Sequence, residues 1–151
     1  MTTLNEVDRL TQVLVKHPRD AFVDARTIAA QWSSLNFTAA PDLGRAVEEH
    51  ARLVDLLRSD VTVVITLARD DRVTLDSIYV RDGSIVSPRG VILCEMGKRS
   101  RSTEPAAQEQ RLRALDSLPI CGRIGPPGRL EGGDVVWLDS RWMVVGRGYR
   151  T

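Results

Sequence analysis

Apolar and polar positions alternate between short blocks of two kinds along this chain. Val13-Leu14-Val15 is a compact apolar run that stops at Lys16-His17-Pro18, the pattern of a buried strand ending at a proline turn. From Ala21 to Ala40 no single period holds, and Trp32, Leu35 and Phe37 are scattered among small and polar residues, which predicts a long ordered loop with one helical turn. Pro41-Asp42 then opens a helix with Asp42 as its cap, and Ala46, Val47, Leu53, Val54 and Leu57 recur at helical spacing through Arg58. His50 falls on the Ala46-Leu53-Leu57 stripe and reads as a packed helix histidine, and His17 as a strand-end residue. Val61 to Leu67 is a β-branched run that fits a buried strand, followed by a turn at Arg69-Asp70-Asp71-Arg72.

The stretch Leu75-Asp76-Ser77-Ile78-Tyr79-Val80-Arg81-Asp82 breaks the simple rule of polar out and apolar in. On an extended strand Asp76 and Asp82 share a face with Ile78 and Val80. The resolution expected is a strand that ends near Val80, with Asp82 turning at its mouth, so that two acids rim an apolar floor and form a receptor for a cation. Ser84–Ser87 and Val91–Cys94 flank Pro88-Arg89-Gly90 as a hairpin. A basic loop, Met96 to Thr103, leads to Glu104-Pro105 and a helix predicted to run to about Leu118 on a Leu112-Leu115-Leu118 stripe. Pro119–Ile124 returns to strand, Gly125–Gly128 turns, and strands at Val135–Leu138 and Trp142–Val145 flank a second hairpin turn at Asp139-Ser140-Arg141.

The acidic stretch has an echo. Leu130-Glu131-Gly132-Gly133-Asp134 follows it by about one module, and Asp82 to Asp134 and Gly97 to Gly148 enclose matching orders of strand, turn, helix and strand. A unit of that kind cannot cover its own apolar faces, so neighbouring copies must pack together. The helix-to-strand order from Asp42 to Leu67 suggests an earlier copy, giving nearly three units of an α/β fold.

Composition narrows the picture. The 151 residues suffice for one ordinary domain with its own core, and 21 basic against 20 acidic residues leave a formal charge of +1, so no global field marks nucleic acid or membrane as a partner. RNA binding through Lys98-Arg99-Ser100-Arg101 lacks interleaved aromatics. The amino-terminal segment is polar and charged from Asn5 to Arg9, no apolar run reaches the roughly 20 residues of a membrane span, and the expected location is the cytoplasm. Cys94 and Cys121 lie in apolar runs without metal-ligand spacing and read as buried, reduced thiols.

Three stretches together, Asp76-Ser77-Ile78-Tyr79-Val80-Arg81-Asp82, Glu131-Gly132-Gly133-Asp134 and Gly146-Arg147-Gly148-Tyr149-Arg150-Thr151, resemble the guanidino-group-modifying enzymes. That group includes dimethylarginine dimethylaminohydrolase, arginine deiminase and the amidinotransferases. The resemblance runs from the strand at Val13 to the last residue. It implies the pentein fold, a five-bladed α/β propeller of ββαβ modules around a central cavity, of which about three are present here: 1–74, 75–128 and an incomplete 129–151. It implies a cysteine nucleophile near the carboxyl terminus of the full enzyme and a histidine in the fourth module. The sequence stops inside a motif that continues with asparagine in the family, so the 151 residues read as the amino-terminal part of a longer enzyme and, alone, as inactive.

The resemblance also assigns residues. Asp76, Asp82 and Glu131 would accept hydrogen bonds from a substrate guanidinium, with Asp82 and Glu131 also fixing its plane and charge during catalysis. Asp134 either contacts the cavity or caps the Gly132-Gly133 turn. Arg101 and Arg150 resemble the arginines that bind the substrate's carboxylate, although Lys98 and Arg99 compete with Arg101, which also reads as a solvated loop charge. No cofactor and no metal are implied. The expected activity is dimethylargininase-like, converting N-methylated arginine to citrulline and an alkylamine, with arginine deiminase or amidinotransferase as alternatives. A non-catalytic module binding arginine-like ligands is the alternative of another class. Partners implied are a small guanidino molecule and either a second copy or another contact covering the open propeller edge.

Overall fold

A computed structural model describes residues 5–60, 63–115 and 118–151. It forms two compact units, one of residues 10–80 and one of residues 5–9 with 81–151.

In the first unit β1 (Gln12–Lys16) and β2 (Val63–Leu67) pair in parallel, Leu14 opposite Ile65. The chain between them supplies α1 (Pro18–Ala21), α2 (Ala25–Gln31) and α3 (Leu43–Asp60). Parallel neighbours need such a crossover because a tight turn cannot reverse the chain twice. Asp42 caps α3 as expected, its Oδ1 accepting from the Arg45 N–H at 3.0 Å. The buried side of α3 differs from the predicted stripe. Leu43 and Ala46 pack on the core and Val54 is buried, whereas Leu53 is half-exposed. The core of this unit is Ala21, Phe22, Ile28, Leu35 and Leu75, with Trp32 and Phe37 against it. The 21–40 region thus starts at the last residue of α1 and holds α2, a helix of seven residues rather than one turn. Asp24 caps the second, accepting from Thr27 N–H at 2.7 Å. Residues 61 and 62, the start of the predicted second strand, lie outside the described residues.

The Asp76–Asp82 stretch is a correction. It is two successive 3₁₀ turns, Leu75–Ile78 and Val80–Gly83, and no strand. Leu75, Asp76 and Ser77 are all buried, so three consecutive side chains point inward, which a pleated strand cannot do. Ser77 N–H to Thr74 O and Tyr79 N–H to Asp76 O close the first turn.

The second unit shows strand, strand, helix, strand in one run. β3 (Ser84–Ser87) and β4 (Gly90–Leu93) form the predicted hairpin, α4 (Glu104–Leu112) crosses over, and β5 (Ile120–Arg123) pairs in parallel with β4. α4 ends earlier than its leucine stripe suggests. Beyond it Leu115 N–H bonds Leu112 O, a three-residue step, and Leu112 and Leu118 are buried, whereas residues 116 and 117 of the predicted helix lie outside the described residues. A second hairpin, β6 (Val135–Trp137) and β7 (Met143–Val145), repeats the first after another 3₁₀ turn, Gly132–Asp134. Ile85, Cys94, Met96, Leu130 and Val135 form one buried cluster of this unit, and Val91, Leu93 and Leu112 are buried as well. No helix among the described residues is long and apolar enough to cross a membrane.

Candidate functional site

Both acidic motifs of the second unit sit on a 3₁₀ turn that leads into the first strand of a hairpin: Asp82 inside Val80–Gly83 before β3, and Glu131 at the start of Gly132–Asp134 before β6. A tight turn at that position lifts a side chain off the strand, which explains why an acid can stand next to Ile85 and Val135 in the core.

Asp82 is held from two sides. Its Oδ2 accepts from Arg101 Nη1 at 2.5 Å and its Oδ1 from the Gly133 N–H at 3.0 Å. A Cβ on Gly133 would stand 2.5 Å from Asp82 Oδ1, so only glycine lets the backbone come that near. The first motif is therefore tied to the second through Asp82. Arg101, at the end of the 3₁₀ turn Arg99–Arg101, is 3% exposed and makes a fork to Glu104, with Nε to Oε1 at 2.9 Å and Nη2 to Oε2 at 2.7 Å. The solvated-loop reading of Arg101 fails: its donors are turned inward to two carboxylates. Burial alone would lower the pKa of Arg101, but the hydrogen bonds and charges of Glu104 and then Asp82 outweigh it and raise the value. Lys98 and Arg99 do not share this position.

Glu131 is buried, yet its two oxygens face different partners. Oε1 accepts from the Lys98 N–H at 2.9 Å, and Oε2 faces Arg150 Nη1 at 3.2 Å. The Thr151 hydroxyl bridges the motif, accepting from the Glu131 N–H at 3.2 Å and donating to Asp134 Oδ2 at 2.5 Å. Asp134 is exposed, and its own N–H closes the turn onto Glu131 O. Beneath the motifs lies Cys94, whose thiol is pushed up to about 12, by burial first and by the charges of Asp82 and Glu131 against the help of Arg81. Cys121 departs from expectation: it is exposed on β5, with Sγ 3.6 Å from Ser87 Oγ.

Asp82, Arg101, Glu131, Asp134 and Arg150 thus belong to one unit, whereas Asp76 belongs to the other, buried in its own 3₁₀ turn. The sequence reading missed Glu104 as the partner of Arg101, although a three-residue spacing at the start of a helix was there to be used. Among the described residues no group of three or more His, Cys, Asp or Glu side chains is arranged to hold a metal ion. Chemically, the arrangement is a pair of carboxylates each already engaged by a guanidinium, that of Arg101 buried and that of Arg150 partly exposed.

No profile of a known protein family matches the chain. The N(G),N(G)-dimethylarginine dimethylaminohydrolase of Pseudomonas aeruginosa is 26% identical over 139 residues, which are 92% of this chain and 51% of that protein. A crystal structure of the Pseudomonas aeruginosa enzyme, a cysteine-to-serine mutant complexed with citrulline, superimposes with a TM-score of 0.73 at 25% identity over 95% of this chain. A dimethylarginine dimethylaminohydrolase adduct with 4-chloro-2-hydroxymethylpyridine gives 0.68 at 23% identity, covering 94% of this chain and 51% of that one. An arginine dihydrolase from cyanobacteria gives 0.67 at 19% identity, over 93% of this chain and 21% of its own, and these last two show the fold alone. The chain spans about half the length of the curated relative it matches. Over nearly all of its own length, this protein is similar in sequence and in α/β fold to one half of a dimethylarginine dimethylaminohydrolase.

Proposed function

We propose that this chain supplies the carboxylate-bearing half of a guanidino-group hydrolase of the dimethylargininase type, built as part of a five-bladed pentein propeller. The observation that carries the reading is the pairing of each acidic-glycine motif with a guanidinium: Arg101 on Asp82 and Arg150 on Glu131. A carboxylate with fixed backbone donors on one oxygen and a planar cation on the other is preorganised for a substrate of that shape.

In the hydrolysis of an N-methylated arginine, the cysteine thiolate of the full enzyme adds to the guanidinium carbon, the alkylamine departs with a proton supplied by the histidine, and water then releases the ureido group of citrulline from the thiouronium intermediate. Carboxylates assist by holding the guanidinium plane and keeping its positive charge, which maintains the central carbon as an electrophile. Glu131 is the stronger candidate for direct contact because its Oε2 is reached by a partly exposed partner. Asp82, engaged by Arg101 on one oxygen and Gly133 on the other, serves to fix the Glu131 motif. Arg150, 39% exposed at its side chain, suits the role of carboxylate binder better than Arg101, whose donors are spent on Glu104 and Asp82. Asp134, in the same unit as Glu131, completes the proposed acceptor set. Exposed Val136, Leu138 and Trp142 on and beside the β6–β7 hairpin support a further contact there, with another module or a second copy.

The second reading, a non-catalytic module that binds arginine-like ligands, is favoured by one observation: Cys94, the cysteine beneath the acids, has a thiol far from ionising near neutrality. Calorimetric titration of the chain with L-arginine, with its Nω,Nω-dimethyl derivative and with L-lysine tests the shared premise. Saturable binding of the two guanidino compounds, weakened at least tenfold by Glu131→Gln and absent for lysine, is the expected result. Equal binding of lysine, or no effect of Glu131→Gln, would overturn it.

A further inference from the structure

We propose that the open edge of β3 is a docking site for an extended segment of another polypeptide that carries a glutamate or aspartate: Arg81 and the Val86 N–H form its carboxylate receptor, and Glu6 of the amino-terminal segment masks that receptor from within. The site is built from contacts outside the guanidinium-accepting role proposed above and does not depend on it.

β3 is the outer strand of the sheet β3-β4-β5, and no strand among the described residues pairs with its far side. Gly83 O accepts from the Cys94 N–H toward β4, so the alternate residues Ser84 and Val86 turn their main-chain groups outward. An outward row of that kind is a template for an added strand. At Val86 the N–H donates to Glu6 Oε1 at 3.2 Å, from a residue 80 positions along the chain. The other oxygen, Oε2, accepts from Arg81 Nη2 at 2.8 Å. One guanidinium and one main-chain donor thus capture both oxygens of a single carboxylate.

Arg81 is held independently of Glu6. Its Nη2 also donates to Val135 O at 3.0 Å, and a Cβ on Gly132 would stand 2.1 Å from the Arg81 carbonyl oxygen and 2.8 Å from its Nη1, so main chain and side chain both lie against the Gly132 turn. A guanidinium positioned by a neutral carbonyl keeps its charge for an anion, and the side chain is 42% exposed. The mask is held less firmly. Residues 5–8 close on themselves: Asn5 Oδ1 accepts from the Val7 and Asp8 N–H groups at 3.0 and 2.7 Å, and Asn5 Nδ2 donates to Asp8 Oδ2 at 2.7 Å. That turn presents Glu6 to the sheet, while Val7 beside it is 41% exposed, so apolar burial does not anchor the tip. A partly exposed ion pair of this kind holds weakly. An acidic side chain on an extended segment offers the receptor the same two contacts and adds the strand pairing that Glu6 does not make, and the charge of Arg81 selects it over a neutral or basic strand.

The test follows the Val86 amide signal by ¹⁵N-resolved NMR on the intact chain, with two blocked peptides as probes: Asn-Glu-Val-Asp-Arg, the sequence of residues 5–9, and the same peptide with glutamine in place of glutamate. In Glu6→Ala the tethered competitor is gone, so the acidic peptide is expected to shift Val86 saturably and to bind about five- to tenfold tighter than to wild type. Glu6→Gln serves the same purpose if the alanine variant fails to fold. The glutamine peptide should bind at least about fivefold weaker than the acidic one, and adding Arg81→Met should abolish the difference between the two peptides, with Arg81→Lys retaining part of it. Val86 unmoved in Glu6→Ala, equal affinity in wild type and variant, or equal response to both peptides would overturn the proposal. A wild-type dimer that Glu6→Ala dissolves would make a second copy the occupant and overturn it as well.

Discussion

Replacing Arg101 with methionine removes the cation from a buried triad while keeping most of the aliphatic stem in place. Glu104, 2% exposed, loses both bonds of its fork, and Asp82 loses the partner of one oxygen but keeps the Gly133 N–H on the other. Three charge-assisted hydrogen bonds at roughly 1.5–3 kcal/mol each set an upper bound near 9 kcal/mol. The desolvation that Arg101 no longer suffers returns several of these, and the partial exposure of Asp82 screens its share. The expected loss is about 3–5 kcal/mol, the range for breaking one partner out of a buried pair. For a chain of this length that corresponds to a Tm lower by roughly 6–20 °C. Urea denaturation at pH 7 measures it, and a repeat at pH 4 should show a smaller loss because an orphaned carboxylate then takes up a proton. Arg101→Met combined with Glu104→Leu should recover part of the deficit. A single variant within about 1 kcal/mol of wild type at pH 7, or a double variant that loses the sum of both effects, would refute the claim that this arginine compensates two inward carboxylates.

Two further outcomes follow from the same structure. Native protein should react with about one equivalent of a disulfide reagent at pH 8, through exposed Cys121, and with two in denaturant, because the Cys94 thiol is buried and pushed up to about 12; two fast thiols in the native state would contradict that placement. The first unit should weaken on acidification: burial, then the charge of His17, whose ring centroid is 4.9 Å away, lowers the pKa of His50, and its buried Nε2 has no hydrogen-bond partner among the described residues. A folded-state value below the unfolded one of about 6.5 means the contribution is complete above pH 6.5 and is lost as pH falls from there toward the folded value. The urea midpoint should drop between pH 7 and 5 and flatten in His50→Leu; an unchanged slope in that variant would assign the drop elsewhere.

Period and turn chemistry made the hairpins, β2 and α3 legible, since Gly, Pro and Asp punctuate apolar runs at the right intervals. The acidic motifs before the Ser84–Ser87 and Val135–Trp137 strands were legible in the same way, since each precedes a hairpin. What failed was every segment governed by three-residue steps. Leu75-Asp76-Ser77 bury together in a 3₁₀ turn, and an argument from strand parity has no means of finding that. Leu115 follows Leu112 past the end of α4 by the same step. α2 has too few turns for a period, though Asp24 and Thr27 carried its cap. Motif order singles out Asp82, Glu131 and Arg150 as candidates, but the inward turn of Arg101 is not legible from it. Charge alone reads as solvent-facing until a partner of opposite sign, here Glu104 three residues on, is shown to be buried with it.

The account rests on Glu131 and its motif receiving a guanidinium, and the backbone N–H groups that bind these acids report on that directly. Lys98 N–H donates to Glu131 Oε1 and Gly133 N–H to Asp82 Oδ1. In a ¹⁵N-resolved NMR titration with L-arginine, both amide signals should shift saturably with a common Kd, and neither should shift with L-lysine. Arginine-dependent shifts confined to other residues, with Lys98 and Gly133 unmoved to saturation, would contradict the assignment of this site.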